Sequence, residues 1–400
     1  MLDPSTLNIL VLDDEPFMLK LIAHTLANQG FPKVTTYDNG RAALESFDSQ
    51  NTMPDLILLD LNMPEMDGVE FIRHLVARGY RGSLILLSKE GMRILESAEK
   101  LAREHRLTVL GHLRKPVKPK ELAALIGEWA IPSHDKPRAA KKIYSAEEVH
   151  SAIKNGELVN YYQPKVAVAT GKVVGVETLV RWRHPVDGMV FPDQFISVAE
   201  AHNLIDELTR VVIAGALAQS SIWKKAGLAL RVAINVSMDN LTALDFADVI
   251  AAQATAAGVS SQDLVLEVTE SRLMGDMKAA LDILTRLRLK RFHLSIDDFG
   301  TGHSSLAQLR DIPFDELKID QSFVHGAWNN EKLRAMFNSS LGLAKQLGMS
   351  VVAEGVEDQS DWDFLRKTAC DIAQGYFIAK PMPATEIPGW IDIWNARGLV

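Results

Sequence analysis

The chain has 400 residues, 47% hydrophobic and 24% charged, and its 43 basic against 51 acidic side chains leave a formal charge of −8. The length predicts about two or three domains and the composition excludes a disordered or fibrous chain, while the acidity disfavours non-specific binding to nucleic acid or anionic membranes. No apolar run approaches the ~20 residues of a membrane span, and a lone cysteine, Cys370, excludes an internal disulfide and a cysteine-built zinc site.

Met1 leads to the strand-like Ile9–Leu12 without a basic region, a long apolar segment or a cleavage site. Export is not expected, and a soluble cytoplasmic protein without membrane insertion is. From there apolar runs alternate with helical patterns five times: Ile9–Leu12, the stretch near Val34, Leu56–Leu59, Leu84–Leu87 and Leu107–Leu110. This alternation predicts parallel strands covered by helices, and the unbroken runs at 56–59 and 84–87 suit strands buried on both faces. The fold class is therefore α/β, beginning with a doubly wound, five-stranded parallel sheet in a domain over residues 1–130.

Ligands of such sheets lie beyond the carboxyl ends of the strands. There the chain places Asp13, Asp14 and Glu15 after the first run, Asp60 at the end of the third, Ser88 at the end of the fourth and Lys115 after the fifth. Clustered carboxylates suit a hard cation such as magnesium, and a carboxylate held beside it can accept a phosphoryl group. Lys115 would balance the added charge and Ser88 would donate a hydrogen bond to it. Singly, each acid also reads as a solvated loop residue.

VLDDEP, DLILLDLNMPEMDG, the hydroxyl at 88 and RKP stand in the order and spacing of a response-regulator receiver domain, which residues 7–130 resemble. The resemblance implies Asp60 as phosphoacceptor and one magnesium held by Asp13, Asp14, Asp60 and the backbone carbonyl of Asn62. It also implies Ser88 and Lys115 as switch residues and a sensor histidine kinase as partner. His112 departs from the family, which usually has an aromatic residue three positions before the lysine.

Residues 131–143 (IPSHDKPRAAKKI), with two prolines and four basic side chains, read as a linker. Ser145 and Glu148 have capping-box spacing and Asn155-Gly156 supplies a stop, so a new domain over 144–400 begins with that helix. At about 250 residues it has the usual size of a β/α barrel. Strand-like runs recur at 158–162, 173–180, 229–236, 264–268, 292–296, 315–319, 349–353 and 372–377, and a helical pattern covers Leu333–Leu347.

Each run brings polar residues within it or at its end: Gln163, Glu177, Asn235, Glu267, Asp297 with Asp298, Lys318 with Asp320, Glu354 and Gln374. Strand ends of a β/α barrel converge on the face that carries the active site. Glu177, Asn235, Glu267, Asp297 and Asp298 would then form a ring of hard oxygen ligands for magnesium or manganese. In the pair Asp297-Asp298 one carboxylate can bridge two ions, an arrangement suited to phosphodiester hydrolysis, with Lys318 orienting water or offsetting charge in the transition state. Each residue also has a plainer reading: Asn235 as a helix cap, Asp297 as a turn acid, Lys318 paired with Asp320. Among 11 histidines no His-x-x-x-His pair occurs, so zinc hydrolysis fits poorly.

YYQPK, ETLVRW, INVS, LEVTES, DDFGTGHSSL, ELKID, VVAEGVE and QGYFIAKPM resemble, in family order, the EAL family of cyclic di-GMP phosphodiesterases. The resemblance implies a TIM-like β/α barrel hydrolysing cyclic di-GMP to linear pGpG with two Mg2+ or Mn2+ ions held by Glu177, Asn235, Glu267, Asp297 and Asp298. Lys318 and Glu354 are carried over as water-activating or transition-state residues, and Arg181 as a contact to a substrate phosphate. Gln163, Asp320 and Gln374 belong to the substrate or the surrounding shell, Glu270 anchors the DDFGTG loop, and homodimers are implied. Thr178 replaces the alanine that names the family, and His303 replaces a loop tyrosine. The expected protein is a response regulator with phosphodiesterase output. The alternative is a weakly catalytic cyclic di-GMP receptor, while a DNA-binding output and a cyclase both lack their sequence segments.

Overall fold

The five amino-terminal runs form a single parallel sheet in the order β2-β1-β3-β4-β5, with β1 Ile9–Leu12, β2 Val34–Tyr37, β3 Leu56–Asp60, β4 Ser83–Ser88 and β5 Thr108–Arg114. The computed structural model describes residues 7–50, 52–89, 92–105, 107–130, 142–237, 239–269, 277–300 and 306–397. The chain divides into two compact units, Met1–Ala140 and Lys141–Val400. Glu270, His303 and residues 131–141 of the expected linker lie outside the described residues.

Both faces of the first sheet are covered, which explains the unbroken apolar runs. Leu10, Leu12, Ile57, Leu59, Leu84 and Leu86 pack with Phe71, Ile72 and Leu75 on one side. Ile9, Val11, Leu56, Leu58, Ile85 and Leu87 pack with Ile22, Leu26 and Leu122 on the other. Each fully buried Leu or Ile contributes roughly 1.5–3 kcal/mol relative to exposure. The register pairs Leu12 with Leu59 and Asp60 with Leu87, so the strands end level and their polar successors converge. The turn after β3 depends on Gly68, where a Cβ would lie 2.7 Å from the Asp60 carbonyl oxygen.

The second unit opens with the expected capping box. The Ser145 N–H donates to Glu148 Oε2 (2.8 Å), the Glu148 N–H donates to Ser145 Oγ (3.2 Å), and the helix Ala146–Lys154 stops at Asn155. Ten strands follow: β6 Leu158–Ala167, β7 Val173–His184, β8 Gly188–Val190, β9 Arg231–Asn235, β10 Leu264–Thr269, β11 His293–Phe299, β12 Glu316–Ile319, β13 Ser350–Ala353, β14 Ile372–Ala373 and β15 Met382–Pro383. Eight close a ring, β6-β14-β13-β12-β11-β10-β9-β7 and back to β6, with β8 and β15 as short flanking strands.

The ring departs from a uniform β/α barrel at one strand. β6 runs antiparallel to both β7 and β14, while the other six ring pairings are parallel. The cause is local, because β6 and β7 are joined by a tight connection that only an antiparallel pair accepts. Gln163 therefore sits midway along its strand, opposite Glu177, and not at a carboxyl end. The last ring strand is also shorter than the sequence pattern suggests, leaving Gln374 just beyond it. No helix among the described residues is long and apolar enough to cross a membrane.

Trp182 of β7 is 1% exposed, lies 4.6 Å from the Tyr144 ring and 5.8 Å from Phe195 between centroids, and donates from Nε1 to Glu157 Oε2 at 2.8 Å. Trp182→Ala should destabilise the barrel unit by about 3–5 kcal/mol through the cavity it leaves. Urea unfolding of the full chain, followed by a barrel signal, measures this, and a loss below about 1 kcal/mol would contradict the packing described.

Candidate active site and phosphoacceptor site

Two successive residues on a regular strand point to opposite faces, so Asp297 and Asp298 need an irregularity to serve one site. The structure supplies it. The pairing of β11 with β12 shifts register between Ile296 and Phe299, and Asp298 adopts φ +54°, a left-handed conformation that aspartate tolerates better than most residues. The Asp298 N–H donates to Asp297 Oδ1 at 2.9 Å.

Two groups of carboxylates result, each with oxygens within 4.8 Å of one another: Glu177, Glu267 and Asp297, and Asp297, Asp298 and Glu354. Asp297 belongs to both. At their centre stands Lys318, 1% exposed. Its Nζ lies 2.8 Å from Glu354, 3.0 Å from Asp297, 3.1 Å from Glu267 and 3.6 Å from Glu177. Lys318 thus pairs with this ring and not with Asp320, whose Oδ1 accepts from the Ser322 N–H at 2.9 Å. Asn235 does not cap a helix. It donates from Nδ2 to Glu177 Oε1 at 2.9 Å, which leaves its carbonyl oxygen as the donor atom for a cation.

The electrostatics follow from burial and company. Burial raises Glu354 to about 8 and Asp298 to about 6, the neighbouring Asp297 adding to the latter. Burial also opposes ionisation of Glu267, but Lys165 and Lys318 outweigh it and hold that carboxyl at about 2. For Lys318, burial disfavours the charge and Asp297, Glu177, Glu267 and Glu354 together restore it, well above the usual lysine range. A ring this rich in oxygen and poor in compensating charge has the donor chemistry of a hard divalent cation site.

A cavity of about 280 Å³ opens over the ring, and Gln163, Glu177, Asp298, Asp320, Glu354 and Gln374 line it. Gln374 donates from Nε2 to Glu177 Oε2 (2.5 Å) and Gln163 Oε1 (3.0 Å), and Gln163 donates to the Ala379 carbonyl (2.9 Å), so these amides tie β6 and the last strand to the acid ring. Across Leu179 lies a second, apolar cavity of about 270 Å³ lined in part by Ile205, Leu208, Val212 and Asn235.

Arg181 is not among the residues lining the acid cavity. Its guanidinium lies between two aromatic faces, 5.1 Å from the Phe191 centroid and 5.8 Å from Tyr161, and donates to the Val180 carbonyl at 2.9 Å. Thr178 is buried on β7 beside Glu177, outside the ring. Lys165, a further buried charge, donates to Glu267 Oε1 at 2.6 Å. Its signal in the sequence is the spacing of two from Gln163, which puts both on one strand face.

In the first unit, Asp13, Asp14 and Asp60 bring carboxylate oxygens within 4.8 Å of one another. Asp13 and Asp60 are buried, as are Ser88 and Lys115. Lys115 Nζ lies 2.5 Å from Asp60 Oδ2, 2.8 Å from Asp13 Oδ2 and 3.3 Å from Glu15 Oε1. Burial raises the Asp13 carboxyl. The Asn62 N–H donates to Asp60 Oδ1 at 3.1 Å. His112, at the position of the usual aromatic, is held at Nδ1 by Glu99 Oε2 at 2.6 Å, which ties β5 to the helix Met92–Glu104.

A model of the EAL domain matches residues 146–381 and one of the response regulator receiver domain matches residues 9–127, so the chain belongs to the EAL family and carries a receiver domain. It is 34% identical over 380 residues to the cyclic di-GMP phosphodiesterase RocR of Pseudomonas aeruginosa, covering 94% of this chain and 96% of that protein. With the cyclic di-GMP phosphodiesterase NbdA of the same organism it shares 40% identity over 259 residues, 64% of this chain and 33% of that one. The structure of the PaMucR phosphodiesterase in complex with c-di-GMP superposes with a TM-score of 0.58 at 36% identity, covering 60% of this chain and 98% of that one.

Burial and the Asp297 charge both raise Asp298. In chelator-treated protein its carboxyl should therefore titrate near 6, and Asp297→Asn should lower that midpoint by removing the neighbouring charge. Carboxyl carbon-13 NMR titration measures it, and a midpoint unmoved by the substitution would show that the two carboxylates do not interact.

Proposed function

We propose that the protein is a receiver-controlled phosphodiesterase that hydrolyses one phosphodiester of cyclic di-GMP to linear pGpG at the barrel mouth. The observation that carries the reading is the pair of carboxylate groups sharing Asp297 around Lys318, in a chain matched along nearly its whole length by RocR. Two Mg2+ or Mn2+ ions bound there would neutralise the phosphate and supply an activated water.

Glu177, Asn235, Glu267, Asp297 and Asp298 are the residues that would hold the ions. Water attacks phosphorus, the bond from phosphorus to the ribose 3′ oxygen breaks, and that oxygen takes up a proton. Burial favours the protonated form of Glu354, and cations bound beside it would favour the carboxylate, the form that accepts the proton of the attacking water. The Lys318 ammonium turns toward the charge that develops on the phosphoryl oxygens. Gln163, Asp320 and Gln374 line the space the substrate would fill, and Arg181, beside the Tyr161 and Phe191 rings, would reach a substrate phosphate from outside that lining.

In the receiver, Asp60 accepts a phosphoryl group from a sensor histidine kinase, and Asp13, Asp14, Asp60 and the Asn62 carbonyl are the groups that would hold one magnesium ion there. The new group displaces Asp60 as partner of Lys115 and meets the Ser88 hydroxyl. The protein acts in the cytoplasm as a homodimer.

Glu177→Ala, Asn235→Ala and Asp297→Ala should each abolish magnesium-dependent turnover, read as pGpG by chromatography. Lys318→Ala should lose far more kcat than KM, since its charge is needed in the transition state. A folded wild type that binds cyclic di-GMP and releases no pGpG would instead make the protein a receptor.

Asp60→Asn should block labelling by a small phosphodonor in magnesium, because an amide is a poor nucleophile. Mass spectrometry of the phosphoprotein checks this, and phosphate found elsewhere with Asp60 unmodified would contradict it.

A further inference from the structure

Among the described residues, Lys165 is a buried cation inside the barrel that is neither one of the oxygen donors of the ring nor Lys318. Lys165 is 4% exposed and lies 2.6 Å from Glu267 Oε1 and 3.5 Å from Glu316 Oε1. Glu316, itself buried, accepts from Ser295 Oγ at 3.0 Å through the same oxygen. Ser295, Glu316, Lys165, Glu267 and Lys318 therefore form a continuous polar column inside the barrel, ending at the candidate metal ring.

The reversed direction of β6 explains why Lys165 reaches this position. Gln163 pairs with Glu177 at the level of the ring, and Lys165 pairs with Gly175, two residues further from the carboxyl end of β7. A lysine two residues after Gln163 on a parallel strand would point out of the mouth. On the antiparallel strand it enters the layer below Glu267.

Its contact divides the two oxygens of Glu267. Oε1 is taken by Lys165, and Oε2 faces Lys318 at 3.1 Å on the side of the ring. A buried ion pair adds little net stability compared with well-packed apolar side chains, so fold stability alone does not account for a lysine there. Groups that hold a metal ligand by its second atom fix the ligand's orientation, and their loss typically costs about 10–100-fold in metal affinity or activity.

We propose that Lys165 is a positioning residue for the phosphodiesterase reaction: by holding Oε1 of Glu267 it presents Oε2 alone to a divalent cation. The inference rests on the reading of the ring as a metal site. It goes beyond that reading by assigning a role to a residue that would touch neither ion nor substrate.

The test uses the full chain, Mn2+ as probe and Lys165→Met, which keeps the side-chain length and removes the charge. Calorimetric titration without nucleotide should show Mn2+ binding weakened roughly 10–100-fold, with kcat lowered similarly and KM for cyclic di-GMP within about threefold. Glu316→Gln keeps an oxygen acceptor for Lys165 and should leave Mn2+ binding and turnover within about twofold of wild type. A folded Lys165→Met protein that binds Mn2+ and turns over like wild type overturns the proposal. Wild type failing to bind Mn2+ at all would instead overturn the metal reading beneath it. Should Lys165→Met not fold, the wild-type crystal structure with Mn2+ decides. Ligation through Oε2 with Oε1 still on Lys165 supports the assignment, and bidentate ligation by Glu267 ends it.

Discussion

The barrel's chemistry depends on the placement of a single ammonium group among four carboxylates. Two like charges about 4 Å apart repel by about 4 kcal/mol at an effective dielectric near 20, so Glu177, Glu267, Asp297 and Glu354 cannot be gathered without compensation. Lys318 supplies one positive charge at 2.8–3.6 Å from all four. Burial among these acids raises Glu354 and Asp298, and Lys165 adds a second positive charge beneath Glu267. A divalent cation entering such a site would meet carboxylates and displace protons from the raised carboxyls.

The receiver solves a smaller version of the same problem. Lys115 closes on Asp60 and Asp13 much as Lys318 closes on its ring, although Lys115 follows the edge strand β5 and Lys318 lies within β12. The difference lies in what the lysine can do next. Lys115 has a partially exposed third partner, Glu15, which also meets Lys89 at 2.8 Å, so its contacts can be exchanged at the surface. Lys318 has no partner in its ring as exposed as Glu15.

Much of this was legible in the sequence because strand-end chemistry is local. Asp13, Asp60, Ser88 and Lys115 each follow a recognisable apolar run, and a parallel sheet gathers them without further information. The same logic places Glu177, Glu267, Asp297 and Lys318 together. It fails at β6, since nothing in an apolar run reports strand direction, and Gln163 and Lys165 reach the interior by a reversed route. It also gives no account of how adjacent Asp297 and Asp298 share a site, because the register shift and the left-handed Asp298 backbone are set by the β11–β12 pairing. The aromatic faces around Arg181 come from β6 and the segment after β8, and no spacing along the chain joins them. His112 is visible as a departure from its family, but its partner Glu99 emerges only from the packing of a helix on β5.

The reversed strand also shapes how the barrel must come together as the chain is made. β6 and β7 are neighbours in sequence and can pair as soon as both leave the ribosome, whereas the other edge of β6 waits for Ile372–Ala373 and Met382–Pro383. At about 5–20 residues per second that wait is on the order of ten to forty seconds. Throughout it a long strand carrying the apolar Tyr162 and Val166 has one unpaired edge, the kind of surface that recruits other chains. The receiver, complete before β6 emerges, can fold first and tether this open hairpin to a folded domain. Loss of the last few dozen residues would remove β14 and β15 and make that temporary edge permanent, so carboxy-terminal truncation should favour self-association over mere loss of activity.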